Sequence, residues 1–273
     1  MVLTALSRSE LEFFFDDTAQ KVIEYFLKKS IISQPEKLDY QNDIPIQIPK
    51  EHIEQWIVQA LGAKPVGAGS YPVDVIGVDW AADVKMLSCK LDKNGKLKNA
   101  DSGETSLAQK FSDENFGDGN SLDALFASKS YDFIWTKWKD ILITKYKKVF
   151  EIHNIKTIYY FIVLREGCKF HLSGIKVDLN NLDETSIDMG RSTNDSIWIN
   201  NFIDNTYGHV KIYKAKKRLE LRLKPKCWID SNKVMTFDTN FHQISKNIRQ
   251  YILDDKLEEY INNELMSVII TKD

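Results

Sequence analysis

PVDVIGVDWAADVKML, residues 72–87, is a mostly apolar stretch that carries four charged side chains, those of Asp74, Asp79, Asp83 and Lys85. Buried carboxylates are costly unless they are paired, hydrogen-bonded or bound to a metal. The β-forming residues fall into two runs, PVDVIGV and ADVKMLSCKL, and the few residues between them fit a hairpin turn. The stretch therefore predicts two adjacent strands, and its charged side chains are the first candidates for a functional site.

Strand geometry separates these charges into a turn residue and a group. Side chains alternate faces along a strand, so Asp83 and Lys85, two residues apart, project from the same side. A hairpin brings Asp74 opposite this pair, whereas Asp79 falls in the turn, where aspartate is favoured for its local hydrogen bonds. We expect two carboxylates and one ammonium to converge. The alternative is an ordinary ion-pair cluster at a sheet edge.

A group of this kind has a chemical use. Two carboxylates are suitable ligands for Mg²⁺, which keeps several waters and takes phosphate oxygens as further ligands. The metal can stabilise charge that develops on a phosphodiester and activate a water, while Lys85 orients that water or stabilises the anion. Asp74, Asp83 and Lys85 therefore predict phosphodiester hydrolysis with Mg²⁺ as the cofactor.

The pattern resembles the signature of the PD-(D/E)xK nuclease superfamily, in which an Asp, often after a Pro, lies on one strand and a (D/E)xK triplet on the next. Pro72-Val73-Asp74 supplies the first part, with one residue inserted between Pro and Asp, and Asp83-Val84-Lys85 supplies the second. The resemblance implies a type II restriction endonuclease, a Mg²⁺-dependent hydrolase that cuts double-stranded DNA at a specific short sequence as a homodimer. Two alternatives stay open: a repair or nicking nuclease of the same core, and a non-catalytic DNA-binding module with a structural acidic cluster.

The same resemblance implies further site residues. The helix before the hairpin is similar to the first core helix of the family, which often contributes another acidic residue, and Glu54 is the first candidate, with Glu51 second. Gln109 or Lys110, in the segment TSLAQKF, is expected to approach the site or the DNA backbone. Each has an ordinary alternative, since a glutamate on a helix is commonly only solvated.

The rest of the chain is expected to build a mixed α/β core around the hairpin. A capping-box spacing of Ser7 and Glu10 precedes helical periodicity from about Ser9 to Lys29, and KEHIEQWIVQALGA reads as a helix ended by Gly62. TSLAQKFSDENF fits a short helix, YDFIWTKWKDILITKYKKVFEIH a long amphipathic helix, and KTIYYFIVLR and CKFHLSGIKVDL two strands. The predicted class is α/β, a restriction-endonuclease-like mixed β-sheet core flanked by helices, with a C-terminal β/α extension.

Composition favours one folding unit in a reducing compartment. The 273 residues are 43% apolar and include 14 Phe, 11 Tyr and 6 Trp, enough for a substantial core, so we expect a single nuclease domain over residues 1–273 with its core at about 50–180. Three cysteines without CxxC spacing suggest neither a disulfide framework nor a structural zinc site, so we expect a cytoplasmic protein. With no leader pattern and no window near the ~20 apolar residues of a membrane span, we expect no membrane association.

Positive charge is concentrated in one segment of a chain whose net charge is −2. Residues 211–226, KIYKAKKRLELRLKPK, hold eight Lys or Arg against one Glu. Strand alternation would let the leucines pack while the charged side chains meet DNA phosphates. The residues predicted to bind DNA are Lys211, Lys214, Lys216 and Arg222. The alternative is a solvated edge strand that its charges protect from aggregation. The Asn-rich segment RSTNDSIWINNFIDNTYGH reads as a loop for base recognition or as a polar connection.

Overall fold

The computed structural model describes residues 1–42, 46–66, 71–98, 104–108, 121–239 and 244–265. Its strands are β1 (Leu3–Ala5), β2 (Lys64–Pro65), β3 (Val75–Ile76), β4 (Trp80–Ser88), β5 (Glu104–Ala108), β6 (Thr157–Glu166), β7 (Lys169–Val177), β8 (Ser186–Thr193), β9 (Ser196–Asn200), β10 (Gly208–Tyr213), β11 (Arg218–Leu223) and β12 (Met235–Asp238). Its helices are α1 (Arg8–Phe14), α2 (Asp17–Ile32), α3 (Lys50–Ala60), α4 (Leu122–Ala127), α5 (Tyr131–His153), α6 (Pro225–Asp230), α7 (Ile248–Leu253) and α8 (Leu257–Tyr260).

The first sheet is mixed, as the sequence predicted. Among the described residues its strand order is β1-β7-β6-β4-β3-β2, and β12 shares the outer edge of β7 with β1. Strands β4 and β6 are parallel, and the chain between them includes α5, while β6 with β7 and β3 with β4 are antiparallel. The candidate strand β4 is therefore a central strand, paired on both sides.

Helices cover both faces of this sheet, and successive residues of β4 point alternately toward the helices on one face and those on the other. Ala82 and Val84 belong to the core cluster formed with α1, α2 and α3, whereas Ala81 and Leu87 belong to the cluster formed with α5. Asp83 and Lys85 have the same parity as Ala81 and Leu87, so they project toward α5. The charged pair thus lies between the sheet and the long helix.

A second sheet packs into the same core as α5. Its strand order in the described chain is β5-β11-β10-β9-β8, and every pairing is antiparallel. Leu219, Leu221 and Leu223 of β11 are fully buried in the cluster that contains Trp138 and Leu142 of α5. The predicted C-terminal β/α extension therefore shares its hydrophobic core with the first sheet.

The prediction of one helix from about Ser9 to Lys29 is wrong, because two helices occupy this segment. The capping box at Ser7 is present and starts α1, but α1 ends at Phe14. The Asp16 carboxylate then accepts a hydrogen bond from the backbone N–H of Ala19 at 2.8 Å and caps α2. A cap within this segment begins a new helix, and the periodicity alone did not indicate it.

Two other segments form strands where the sequence suggested something else. The described part of TSLAQKFSDENF is not helical, because Thr105 to Ala108 belong to β5, which pairs with β11 and buries Leu107 and Ala108. The Asn-rich segment is a loop only in part, because it includes the end of β8 and all of β9, while residues 201–207 connect β9 to β10. Ile197 and Ile199 of β9 are buried, and this two-residue spacing is the strand pattern that the asparagines obscured.

The long helix and the strands after it form where the sequence predicts them. Helix α5 spans the predicted segment from Tyr131 to His153 and ends at Asn154, which adopts a left-handed conformation with φ of 52°. Strands β6 and β7 follow, and the basic segment forms β10 and β11. None of the helices in the described ranges combines the length and apolar character needed to cross a membrane.

Candidate active site

The structure brings Asp74, Asp83 and Lys85 together. The Lys85 ammonium is paired with Oδ1 of Asp83 and lies 4.0 Å from Oδ2 of Asp74. Oδ2 of Asp74 accepts a hydrogen bond from the backbone N–H of Val84 at 2.7 Å, which fixes the carboxylate against β4. One cation is therefore held between two carboxylates, at the point where the strand pattern placed them.

Asp79 is a turn residue, as the sequence suggested. It lies between β3 and β4, and its carboxylate is 3.3 Å from the ammonium of Lys156, with both side chains more than half exposed. Its backbone carbonyl accepts a hydrogen bond from the N–H of Lys156 at 2.7 Å. Asp79 thus ties the hairpin turn to the start of β6 and takes no part in the cluster of Asp74, Asp83 and Lys85.

Burial sets the electrostatics of this cluster. The side chains of Asp83, Lys85 and Asp74 are only 7%, 18% and 19% exposed. The pKa of Lys85 is lowered to about 8, mainly by burial; the carboxylate of Asp74 opposes this shift, and the nearby charges of Lys50 and Lys145 add to it. A lysine with a pKa in this range exchanges its proton near neutral pH, which an ordinary surface lysine does not.

A second lysine, Lys145 of α5, lies near the other oxygen of the Asp83 carboxylate. Its Nζ lies 3.8 Å from Oδ2 of Asp83. The same ammonium donates hydrogen bonds to the carbonyl of Leu107 at 2.7 Å and to the hydroxyl of Tyr146 at 3.2 Å. Sequence reasoning missed this residue, although a signal exists: Lys145 interrupts the buried face of α5 between Leu142 and Val149.

These side chains open onto a cleft of about 680 Å³ between the hairpin, α5 and the N-terminus of α3. Strand β5 of the second sheet completes one wall through Ser106 and Ala108. The charged residues that line the cleft in the described chain are Lys50, Lys85, Lys145, Lys148, Asp74 and Asp83. Lysines outnumber aspartates there, so the cleft is positive within a chain whose net charge is −2.

The other residues predicted by resemblance differ in their placement. Glu54 is 2.9 Å from the ammonium of Lys50, one helical turn away. Lys50 lines the cleft, so Glu54 is connected to the cleft by this ion pair. Burial disfavours the charged form of Lys50, but its hydrogen bond and ion pair with Glu54 outweigh this and raise the pKa of Lys50. Gln109 and Lys110 lie outside the described residues.

The two carboxylates of Asp74 and Asp83 fit Mg²⁺ better than a metal that takes all of its ligands from the protein. Within the described ranges, no group of three or more His, Cys, Asp or Glu residues could hold a metal ion. Mg²⁺ commonly binds one or two carboxylates and completes its octahedron with water and substrate phosphate, whereas structural zinc takes four protein ligands. Asp74 and Asp83 already share one cation, the Lys85 ammonium, so their carboxylates face a common point.

Of the residues predicted to bind DNA, Lys211 and Arg222 lie on strands of the second sheet, and Lys214 and Lys216 lie in the turn between β10 and β11. Glu220 of β11 is fully buried, 2.8 Å from Arg218, 3.5 Å from Arg222 and 3.7 Å from Lys216. Lys214 is 3.5 Å from Asp123 and 4.0 Å from Asp195. The basic segment is therefore a network of paired charges and not a bare row of lysines.

Strand register connects this polar face to the cleft. We call one line of directly paired residues across the second sheet the cross-strand row; it consists of Ser106, Glu220, Lys211, Trp198 and Asp188. Ser106 lines the cleft, and Lys211 lies over the rings of Trp198 and Tyr213 at 5.5 and 4.7 Å. Arg191 covers the Trp198 ring at 3.8 Å. From the cleft, the row thus leads through the buried carboxylate of Glu220 to a group of cationic and aromatic side chains around Trp198.

Comparison of the chain with models of known protein families, with curated proteins and with solved structures finds no match.

Proposed function

We propose that this protein is a Mg²⁺-dependent endodeoxyribonuclease that hydrolyses double-stranded DNA at a specific short sequence, as type II restriction enzymes do. The observation that carries the proposal is the convergence of Asp74, Asp83 and Lys85 in a cleft with an excess of lysines. Two carboxylates suit a hydrated divalent cation, and the surrounding positive charge suits a polyanion. Recognition of a short sequence and a homodimeric state, which twofold-symmetric sites favour, follow from the resemblance alone.

The arrangement of elements supports a restriction-endonuclease-like core. A helix, α3, precedes the β3–β4 hairpin, and β4 then connects through α5 to the parallel strand β6. Helix α3 thus precedes the hairpin, as the resemblance expects of the first core helix. The cleft is bounded by α3, the hairpin and α5, so it lies where the core elements meet.

The residues divide the chemistry between them. Asp74 and Asp83 would hold Mg²⁺, and the bound metal supplies a Lewis acid that stabilises negative charge on the phosphodiester. Lys85 in its neutral form takes a proton at Nζ from the attacking water, which its lowered pKa permits. As the water oxygen bonds to phosphorus, the bond from phosphorus to the leaving sugar oxygen breaks, and that oxygen takes a proton from solvent.

The cross-strand row supports a path for the DNA beyond the cleft. Lysine and arginine side chains that contact phosphates supply affinity without reading sequence. Lys211 and Arg191, placed around Trp198, continue the positive charge of the cleft along the second sheet. Lys216 and Arg222 contribute there as partners of Glu220, so their charge is partly compensated.

One observation favours the alternative of a DNA-binding module with a structural acidic cluster. Asp83 is paired with Lys85, and Asp74 accepts a hydrogen bond from Val84, so both carboxylates have partners without a metal. In that case the cluster would stabilise the fold and the cleft would bind DNA without cutting it. A repair or nicking nuclease would use the same residues and would differ in its product.

The test uses two variants that preserve shape. Asp74→Asn keeps an acceptor for the Val84 N–H, and Lys85→Met keeps the length of the side chain. Each should lower the rate of plasmid cleavage with Mg²⁺ by at least about a hundredfold, the usual contribution of a general base or metal ligand. Both should still bind DNA. Asp79→Asn, in the exposed turn, is the matched control and should cut like the native protein.

Other outcomes separate the candidates. Normal cleavage by the Asn or Met variant contradicts the site assignment. Variants that unfold, together with a native protein that binds DNA and never cuts it, support the structural alternative. Products with breaks in one strand only identify a nicking enzyme.

A further inference from the structure

We infer that Lys145 is a second active-site lysine, which binds an anionic oxygen of the substrate phosphate beside Asp83. The inference rests on the proposed function, because the phosphate belongs to the proposed DNA substrate. It adds to the signature of Asp74, Asp83 and Lys85 a residue from α5, an element outside the hairpin.

Two hydrogen bonds to described residues hold the ammonium of Lys145, and the residue lines the cleft. A lysine ammonium has three N–H donors. Two of them meet the Leu107 carbonyl at 2.7 Å and the Tyr146 hydroxyl at 3.2 Å. Within the described part of the chain, the carboxylate oxygen that pairs with this ammonium, Oδ2 of Asp83, is 3.8 Å away, beyond hydrogen-bond range. A substrate oxygen in the cleft can therefore take the third hydrogen bond.

Two aromatic side chains, those of Tyr146 and Tyr160, lie close to the ammonium of Lys145 and help to hold it in place. Its ammonium lies 4.7 Å from the centre of the Tyr146 ring and 5.9 Å from that of Tyr160. The hydroxyls of these two tyrosines are hydrogen-bonded to each other, and both side chains are buried. Tyr160 is the partner of Asp83 in the register of β4 and β6, so the same scaffold supports the lysine and the carboxylate. A group positioned in this way needs little reorganisation to bind an anion.

A purely structural role explains Lys145 poorly. Its side chain is only 19% exposed, whereas the neighbouring Lys147 is 67% exposed and pairs with Glu151 on the outer surface of α5. Asp83 already has Lys85 as its partner, so a second ammonium is not needed to neutralise it. The pair of lysines around one aspartate leaves positive charge at the wall of the cleft, as a phosphate-binding site requires.

The test compares Lys145→Met and Lys145→Arg with Lys147→Met as the matched control. Lys145→Met should lower kcat/KM for DNA cleavage by about ten- to a hundredfold, and Lys145→Arg, which keeps the charge, should recover most of it. In Ca²⁺, with cleavage prevented, Lys145→Met should also weaken DNA binding and lower the slope of log K against log salt by about 0.9, the loss of one phosphate contact. Lys147→Met should change none of these quantities.

The DNA-binding measurement in Ca²⁺ is a readout that does not depend on cleavage. If the Met variant does not fold, Lys145→Gln, which keeps a donor for the Leu107 carbonyl, takes its place.

The outcomes are distinguishable. Unchanged kcat/KM, DNA affinity and salt slope in Lys145→Met overturn the inference, and if Asp74→Asn is inactive at the same time, the proposed function stands without it. A native protein that never cuts DNA, together with weaker binding by Lys145→Met, contradicts the proposed function and leaves Lys145 as a phosphate-binding residue.

Discussion

The site depends on a few side chains whose charges compensate one another at short range. Asp83 has Lys85 on one carboxylate oxygen and Lys145 near the other, and all three side chains are less than a fifth exposed. In such surroundings charges interact more strongly than in water, so each group shifts the protonation of its neighbours. The consequence at the residue scale is a lysine, Lys85, whose pKa lies close to neutral pH.

The pH dependence of cleavage should report this lysine. Below about pH 8 Lys85 is protonated and cannot accept a proton, so the rate should rise about tenfold per pH unit, and it should level off once the lysine is neutral. Single-turnover rates at saturating Mg²⁺ measure the midpoint. A rate that falls as the pH rises through 8 would show instead that the charged ammonium is the active form.

The buried carboxylate of Glu220 is predicted to hold the second sheet together. It is fully buried and paired with Arg218 and Arg222, so Glu220→Gln would leave partly buried cations without their counter-charge. We expect the free energy of unfolding to fall by about 3 kcal/mol, measured by urea denaturation. Glu151→Gln, on an exposed pair with Lys147, is the control and should change it by less than about 0.5 kcal/mol. Equal effects of the two variants contradict this account.

At the scale of elements, the predictable features were those encoded by local patterns. The period of α5 and the unbroken apolar run of β6 are long enough to identify each element from its own residues. Strand β5 was mistaken for a helix because its short apolar run fits either period, and its identity depends on pairing with β11, far along the chain. Lys145 was missed for the same reason, since only the crossover from β4 to β6 brings α5 against Asp83.

The capping box of α1 is an element-scale feature that the sequence did predict. The Glu10 carboxylate accepts a hydrogen bond from the Ser7 N–H at 2.7 Å, and the Ser7 hydroxyl accepts one from the Glu10 N–H at 3.3 Å. Ser7→Ala should lower the free energy of unfolding by about 1 kcal/mol in urea denaturation. Thr18→Ala, at an exposed position of α2, is the control. A loss with Thr18→Ala as large as with Ser7→Ala contradicts the assignment of the cap.

At the scale of the whole molecule, two sheets and α5 share one hydrophobic cluster, and residues of both sheets and of α5 line the cleft. Its positive charge could not be foreseen from a net charge of −2, because the four lysines that line it come from three elements, α3, β4 and α5. Folding brings these lysines together. The basic segment visible in the sequence proved instead to be extensively paired.

Metal binding should stabilise the whole fold. A ligand that binds only the folded state adds to the free energy of unfolding, by about 2.7 kcal/mol at a hundred times its Kd. Mg²⁺ should therefore raise the Tm of the native protein by several degrees in calorimetry. Asp83→Asn should abolish this rise, and Asp79→Asn should keep it. A rise of equal size in the native protein and in Asp83→Asn would mean that Mg²⁺ acts at another place.

The most direct test of the central claim is incubation of the native protein with mixed-sequence DNA, with Mg²⁺ and with EDTA, followed by sequencing of the ends. The account predicts double-strand breaks at one recurring short sequence with Mg²⁺, intact DNA with EDTA, and intact DNA with Asp74→Asn under both conditions. DNA that stays intact with Mg²⁺, or that is cut equally by the native protein and Asp74→Asn, would contradict it.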